Sequence, residues 1–144
     1  MYNLAVTPST PIIANGDNMN RVVAIALESA IDERGIKGDD DYLGEGKHGW
    51  QIYHIWPTFT IIAIIEGHTV GLDLCCEAVV AYETRSPYGL MFEVLNAKNF
   101  QLDDAYGIKC ENGSYIFDES EQAFADTITI ESLGLNEETI SHMA

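Results

Sequence analysis

Glu66 and His68 flank a turn, and the adjacent thiols Cys75 and Cys76 follow a few residues later. A carboxylate and an imidazole this close offer a general acid/base pair, and a thiol beside a base offers a nucleophile. Successive residues of a strand point to opposite faces, so one cysteine must face outward and the other inward. An outward thiol becomes reactive where a histidine lowers its pKa, and the sequence sets none beside it. A small hydrolase or lyase using Glu66 and His68 is therefore one reading. The competing one is that turn residues are polar for solvation, and on it no catalytic residue is assigned.

Other motifs reduce further. Gly44-Glu45-Gly46-Lys47-His48-Gly49 spells GxGxxG, but phosphate binding needs those glycines between a strand and a helix. Here Asp39, Asp40 and Asp41 precede them and strand character follows, so the loop repels phosphate. Those aspartates with Glu45 lack the alternate-position ligands of an EF-hand and suit a solvated loop. His48, His54, His68 and His142 are scattered without HxH, HExxH or CxxC spacing, so neither metal nor cofactor is expected.

Charge is the chain's most distinctive property. Twenty-three Asp and Glu oppose seven Lys and Arg over 144 residues, a formal net charge of −16. That field repels nucleic acid and anionic membrane and favours a basic protein partner. From Gln101 onward ten acidic residues face the single Lys109. The sequence places Asp103, Asp104, Glu111, Asp118, Glu119 and Glu121 in or beside hairpin turns, as a candidate binding surface. Trp50, Tyr53, Trp56 and Tyr88 are expected to interleave aromatic rings with these charges. Solubility alone is the bland explanation of the same composition.

Three cysteines without framework spacing suit a reducing compartment. No basic n-region or long apolar segment marks a signal peptide or a span, so the expected location is cytoplasmic, or host cytoplasm for a viral chain.

The elements that must position these residues read as one α+β domain over residues 17–144, preceded by an extended, proline-punctuated segment at 1–16. Asp17 or Asn18 caps a first helix whose stripe is Val23, Ala26, Leu27, Ala30 and Ile31, stopped by Gly35. Residues 37–49 read as loop. Strands are expected over Trp50–Trp56, Phe59–Ile65 and Val70–Tyr82, the last alternating strictly. Ser86 and Pro87 open a second helix with the stripe Leu90, Met91, Val94 and Leu95. Asn112-Gly113 joins a hairpin of Tyr106–Cys110 and Tyr115–Phe117, and residues 126–131 alternate as a further strand. Asn136 caps a last helix. The layout is an antiparallel sheet with helices packed on one face: helix, three strands, helix, two to three strands, helix.

Leu95-Asn96-Ala97-Lys98-Asn99 forms an LNxxN pattern, and Gly134 opens a Gly-Leu-polar-Glu-Glu helix start. This layout resembles the class I type III secretion chaperones and YbjN-like domains. The resemblance covers 18–144 in element order and 86–138 in residue pattern, with Leu95, Asn96, Asn99 and Gly134 as its fold motif. It implies a small, acidic, homodimeric, non-enzymatic protein-binding domain, chaperone-like or adaptor, acting as a homodimer or larger assembly. The short last helix and the segment 1–16 depart from the family. Two further readings compete with it: an acidic inhibitor mimicking nucleic acid toward a basic DNA- or RNA-handling protein, as viral anti-defence proteins do, and a virus-particle assembly component.

Overall fold

The computed structural model describes residues 13–16, 18–83 and 91–135. Asp17, Tyr88, the expected helix start at Ser86-Pro87 and the expected last helix from Asn136 lie outside them.

Helix α1 runs Met19–Arg34 and buries Met19, Val22, Val23, Ala24, Leu27 and Ile31, the face its apolar spacing defines. Gly35 ends it at φ 62°, with its N–H donating to Ile31 O. Asn18 stands at the N-cap, but its side-chain oxygen accepts the Asn15 N–H at 2.7 Å rather than capping the helix.

The strands are β1 (Asp41–Glu45), β2 (Gln51–Ile55), β3 (Thr58–Ile65), β4 (His68–Glu83), β5 (Met91–Glu111) and β6 (Ser114–Phe117). All pair antiparallel in one sheet, so the α+β class expected from the sequence holds. β4 is the axis. β2 pairs with Ala78–Tyr82 and β3 with His68–Cys75 along one edge, while β5 covers the other. Two-residue turns with positive φ at both positions, Glu66-Gly67 and Asn112-Gly113, join β3 to β4 and β5 to β6. That geometry matches the strand twist and selects Gly at the second position. Ala14 adds a parallel bridge to Ala63.

Alternation along β4 divides the sheet. Val70, Leu72, Leu74, Cys76, Ala78, Val80 and Tyr82 join the core with α1, whereas Asp73, Cys75, Glu77 and Val79 point the other way. The short helix α2 (Glu119–Ala125) packs on the same side as α1. Its closeness requires Gly107, where a Cβ would come within 2.5 Å of Glu121 Cβ. The opposite face carries no helix among the described residues.

Three stretches differ from the element expected there, and α2 stands where none was expected. Met91–Asn99, with Leu95, Asn96 and Asn99 of the LNxxN pattern, belongs to β5 and not to a helix. Residues 126–131 form turns and the start of a 3-10 turn at Glu131–Leu133, because Thr127 and Ser132 hydroxyls donate to Phe124 and Thr129 carbonyls and compete with a ladder. Residues 41–45, expected as loop, form edge strand β1. Gly134 closes the 3-10 turn in the left-handed conformation, and its carbonyl accepts from Asn20 of α1 at 3.3 Å.

Candidate functional site: a saddle on the sheet face opposite α1

Three irregularities converge beside Cys75–Glu77. On one edge of β4, β2 passes to β3 through Trp56-Pro57, where proline has no N–H for the ladder and its carbonyl accepts the Cys76 N–H at 3.3 Å. On the other edge β5 bulges twice, around Asn99 (φ 57°) and at Asp103. Bulges bend a strand and re-aim its side chains. The result is a shallow cavity of about 400 Å³ lined by Trp56, Thr58, Cys75, Cys76, Glu77, Asn99, Gln101 and Asp103.

The lining is polar and anionic, with one exposed aromatic. Trp56 is 44% exposed, and its ring lies 4.4 Å from that of His54. His54 Nε2 sits 3.1 Å from Glu77 Oε1, and the Asn99 carboxamide donates to Glu77 Oε2. The Asn99 hydrogen bond is the main reason the Glu77 carboxyl is held below its ordinary range, with the His54 and Lys98 charges assisting against desolvation. Cys75 donates its S–H to Asp103 Oδ1 at 3.4 Å. Burial pushes the Cys75 thiol up, and the Asp103 hydrogen bond and charge push it further. The outward thiol expected from the sequence is thus held protonated, as a donor, and not as a nucleophile.

Next along the same face Asp73 and Asp104 stand directly opposite each other across β4 and β5. Asp73 accepts from Thr60 at 2.8 Å and Tyr106 at 2.9 Å. Facing like charges repel, whereas Lys98 stands opposite Glu77 as a cation facing an anion.

The acidic residues singled out in the sequence are distributed differently. Asp103 and Asp104 lie in mid-strand and not at a turn, because β5 continues without a break to Glu111. Glu111 is exposed beside the hairpin turn, 3.8 Å from Lys109. Asp118 caps α2, accepting from Ser120 N–H (3.1 Å) and Oγ (2.6 Å). Those Ser120 bonds hold its carboxyl below the ordinary range. Glu119 is exposed on the first turn. Glu121 pairs with His68 Nδ1 at 2.9 Å. Asp118 and Glu121 are thus partly exposed carboxylates that also make local contacts, one as helix cap and one as His68 partner; the Asp118-x-x-Glu121 spacing before Phe124-Ala125 is the sequence signal for that capped helix. Tyr53 also turns inward against the core, and Trp50 is half-buried.

The hydrolase constellation does not assemble. His68 stacks on Phe124 at 4.1 Å on the helix side. Cys75 lies seven residues further along β4, roughly 23 Å at ~3.3 Å per residue, and opens on the opposite face. Glu66 sits in the tight turn, and Cys76 is buried. Gly44–Gly49 connects two strands through a 3-10 turn, and Asp40 is taken up by Arg34 at 2.9 Å and the Lys37 N–H at 2.7 Å. Among the described residues no three His, Cys, Asp or Glu side chains group as metal ligands, and no helix is long and apolar enough to cross a membrane.

Comparison with protein families, curated proteins and solved structures finds no match to this chain.

Proposed function

We propose that the chain is a binding domain for a basic protein, which docks on the face of the sheet opposite α1 and α2. The observation that carries this reading is the placement of Asp73, Glu77, Asp103 and Asp104 on that face, with an exposed Trp56 lining the same cavity as Glu77 and Asp103. Charge complementarity between such a face and a cationic surface raises association rates and rejects acidic competitors. The whole chain's formal charge of −16 acts in the same direction at longer range. An exposed indole is among the side chains that most often dominate the energy of a protein–protein contact. The proposed role is that of an adaptor or chaperone, with binding in place of catalysis.

The test compares wild type with the double variant Glu77→Gln/Asp103→Asn, which removes charge while leaving each side chain one acceptor oxygen. Both are used as bait in an extract of the source cells, followed by mass spectrometry. Proteins of high isoelectric point should be retained by wild type, lost by the variant, and released as ionic strength passes about 0.1 M, where the screening length falls to ~10 Å. A retained set indifferent to both the variant and salt overturns the reading.

A further inference from the structure

We propose that the saddle over Cys75–Glu77 receives the guanidinium of an arginine side chain, stacked on the Trp56 indole and forked onto Asp103 and Glu77. The inference rests on the reading of a basic partner given above and specifies the chemistry of its central contact.

The donors of the saddle are already turned onto its carboxylates. The Asn99 carboxamide and the His54 ring point at Glu77, and the Cys75 thiol points at Asp103. A carboxylate offers about four acceptor sites. Glu77 therefore keeps about two open and Asp103 about three, held in place by neighbours and not by the incoming group. Acceptors fixed in advance lower the ordering cost of binding and select a ligand rich in donors.

Shape narrows the ligand further. Trp56 and the carboxylates line one cavity of about 400 Å³, open on the sheet face. That suits a single long side chain projecting from a larger body better than an enclosed small molecule. An indole face attracts a cation, and a guanidinium is planar enough both to stack on it and to present parallel N–H groups to a carboxylate. An ammonium is a compact, strongly hydrated point charge that does only the first. The repulsion between Asp73 and Asp104 on the same face adds a field that any incoming cation relieves.

Three short peptides, identical except for a central arginine, lysine or citrulline, separate these contributions. They are titrated into the full ¹⁵N-labelled chain, with the Trp56 indole N–H as reporter and that of Trp50 as internal control. The arginine peptide should move the Trp56 resonance saturably. The lysine peptide should bind at least about fivefold more weakly, and neutral citrulline should leave the resonance in place. Trp56→Ala, followed through the backbone amides of Cys75 and Glu77, and Asp103→Asn should each weaken arginine binding by about fivefold or more. Trp56 is exposed, and the carboxamide introduced by Asp103→Asn keeps an acceptor for Cys75, so both variants should melt close to wild type. Equal affinity for lysine or citrulline overturns the proposal, as does a Trp56 resonance that no peptide moves. Partner capture that responds to Glu77→Gln/Asp103→Asn without any arginine-peptide shift sinks the guanidinium contact alone. Capture indifferent to charge sinks the basic-partner reading, whatever the peptides do.

Discussion

Gly107→Ala tests whether α2 is seated directly on the backbone of β5. Gly107 lies opposite Val70, its carbonyl accepts the Asp118 N–H at 2.9 Å, and its own N–H donates to Gln122 Oε1 at 3.1 Å. A Cβ there would come 2.5 Å from Glu121 Cβ, 2.6 Å from Asp118 O and 2.7 Å from Glu121 C. Ordinary contact is about 3.5–4.0 Å, so the helix must lift by roughly 1 Å. Two of the three atoms are backbone, so no rotamer change relieves the clash. Overpacking costs about 1–3 kcal/mol, and the absence of a side-chain escape puts this case at about 2–3 kcal/mol. At about 2–4 °C per kcal/mol for a chain near this size, the melting temperature should fall by roughly 5–10 °C. Calorimetry gives that number, and hydrogen exchange should show the loss concentrated in α2, with the His68–Phe124 ring contact weakened. The Trp56 saddle opens on the other face and should titrate with the arginine peptide as before. A melting temperature within about a degree of wild type, with α2 amides as protected as before, would refute the reasoning.

Three further outcomes follow from single contacts. Tyr82 is fully buried with its hydroxyl unpartnered among the described residues, and burial chiefly pushes its pKa up to about 12, so Tyr82→Phe should be neutral or stabilise by about 1 kcal/mol in urea unfolding; a clear loss contradicts the unpaired hydroxyl. Desolvation raises the Asp40 carboxyl, but hydrogen bonds from Arg34 and the Lys37 N–H, with both charges, outweigh it and hold it below its ordinary range. A depressed folded-state pKa gives stability that is present above the unfolded value of about 3.9 and lost as pH falls through the folded one, so the melting difference between wild type and Asp40→Asn should shrink below about pH 4; a pH-independent difference refutes it. A thiol reagent at neutral pH should label exposed Cys110 well before Cys75, and Asp103→Asn should speed Cys75 labelling; equal Cys75 rates in wild type and Asp103→Asn would remove the Asp103 effect.

Much of the fold was legible wherever one residue's spacing carried one meaning. The stripe through Val23, Leu27 and Ile31 ended at Gly35, as α1 does, and the alternation from Val70 to Tyr82 is the burial pattern of β4. The pairs Glu66-Gly67 and Asn112-Gly113 marked both hairpin turns. The stretch 126–131 failed because two isoleucines, Ile128 and Ile130, can pack on a core from a hydroxyl-bonded turn as well as from a strand.

β5 carries a misleading pattern for a more particular reason. Its inward residues are Phe92, Val94, Ala97, Phe100, Leu102, Ala105 and Gly107, so the interval lengthens from two to three at each bulge. An extra residue at Leu95 and another at Asn99 leave Val94, Ala97 and Phe100 buried three apart, which mimics the i, i+3 spacing of a helix. The same inserted residues shape the site. The extra residue at Asn99 turns its carboxamide onto Glu77, and the bulge at Asp103 brings that carboxylate to Cys75. Across β4, Trp56-Pro57 breaks the opposite ladder at the same level. Regular strands at these positions would bury their side chains by twos and leave a flat face without a saddle. The period that a pattern reading needs is thus interrupted where the chain builds its concavity, so the bulges that hide β5 from the pattern are the ones that shape the saddle.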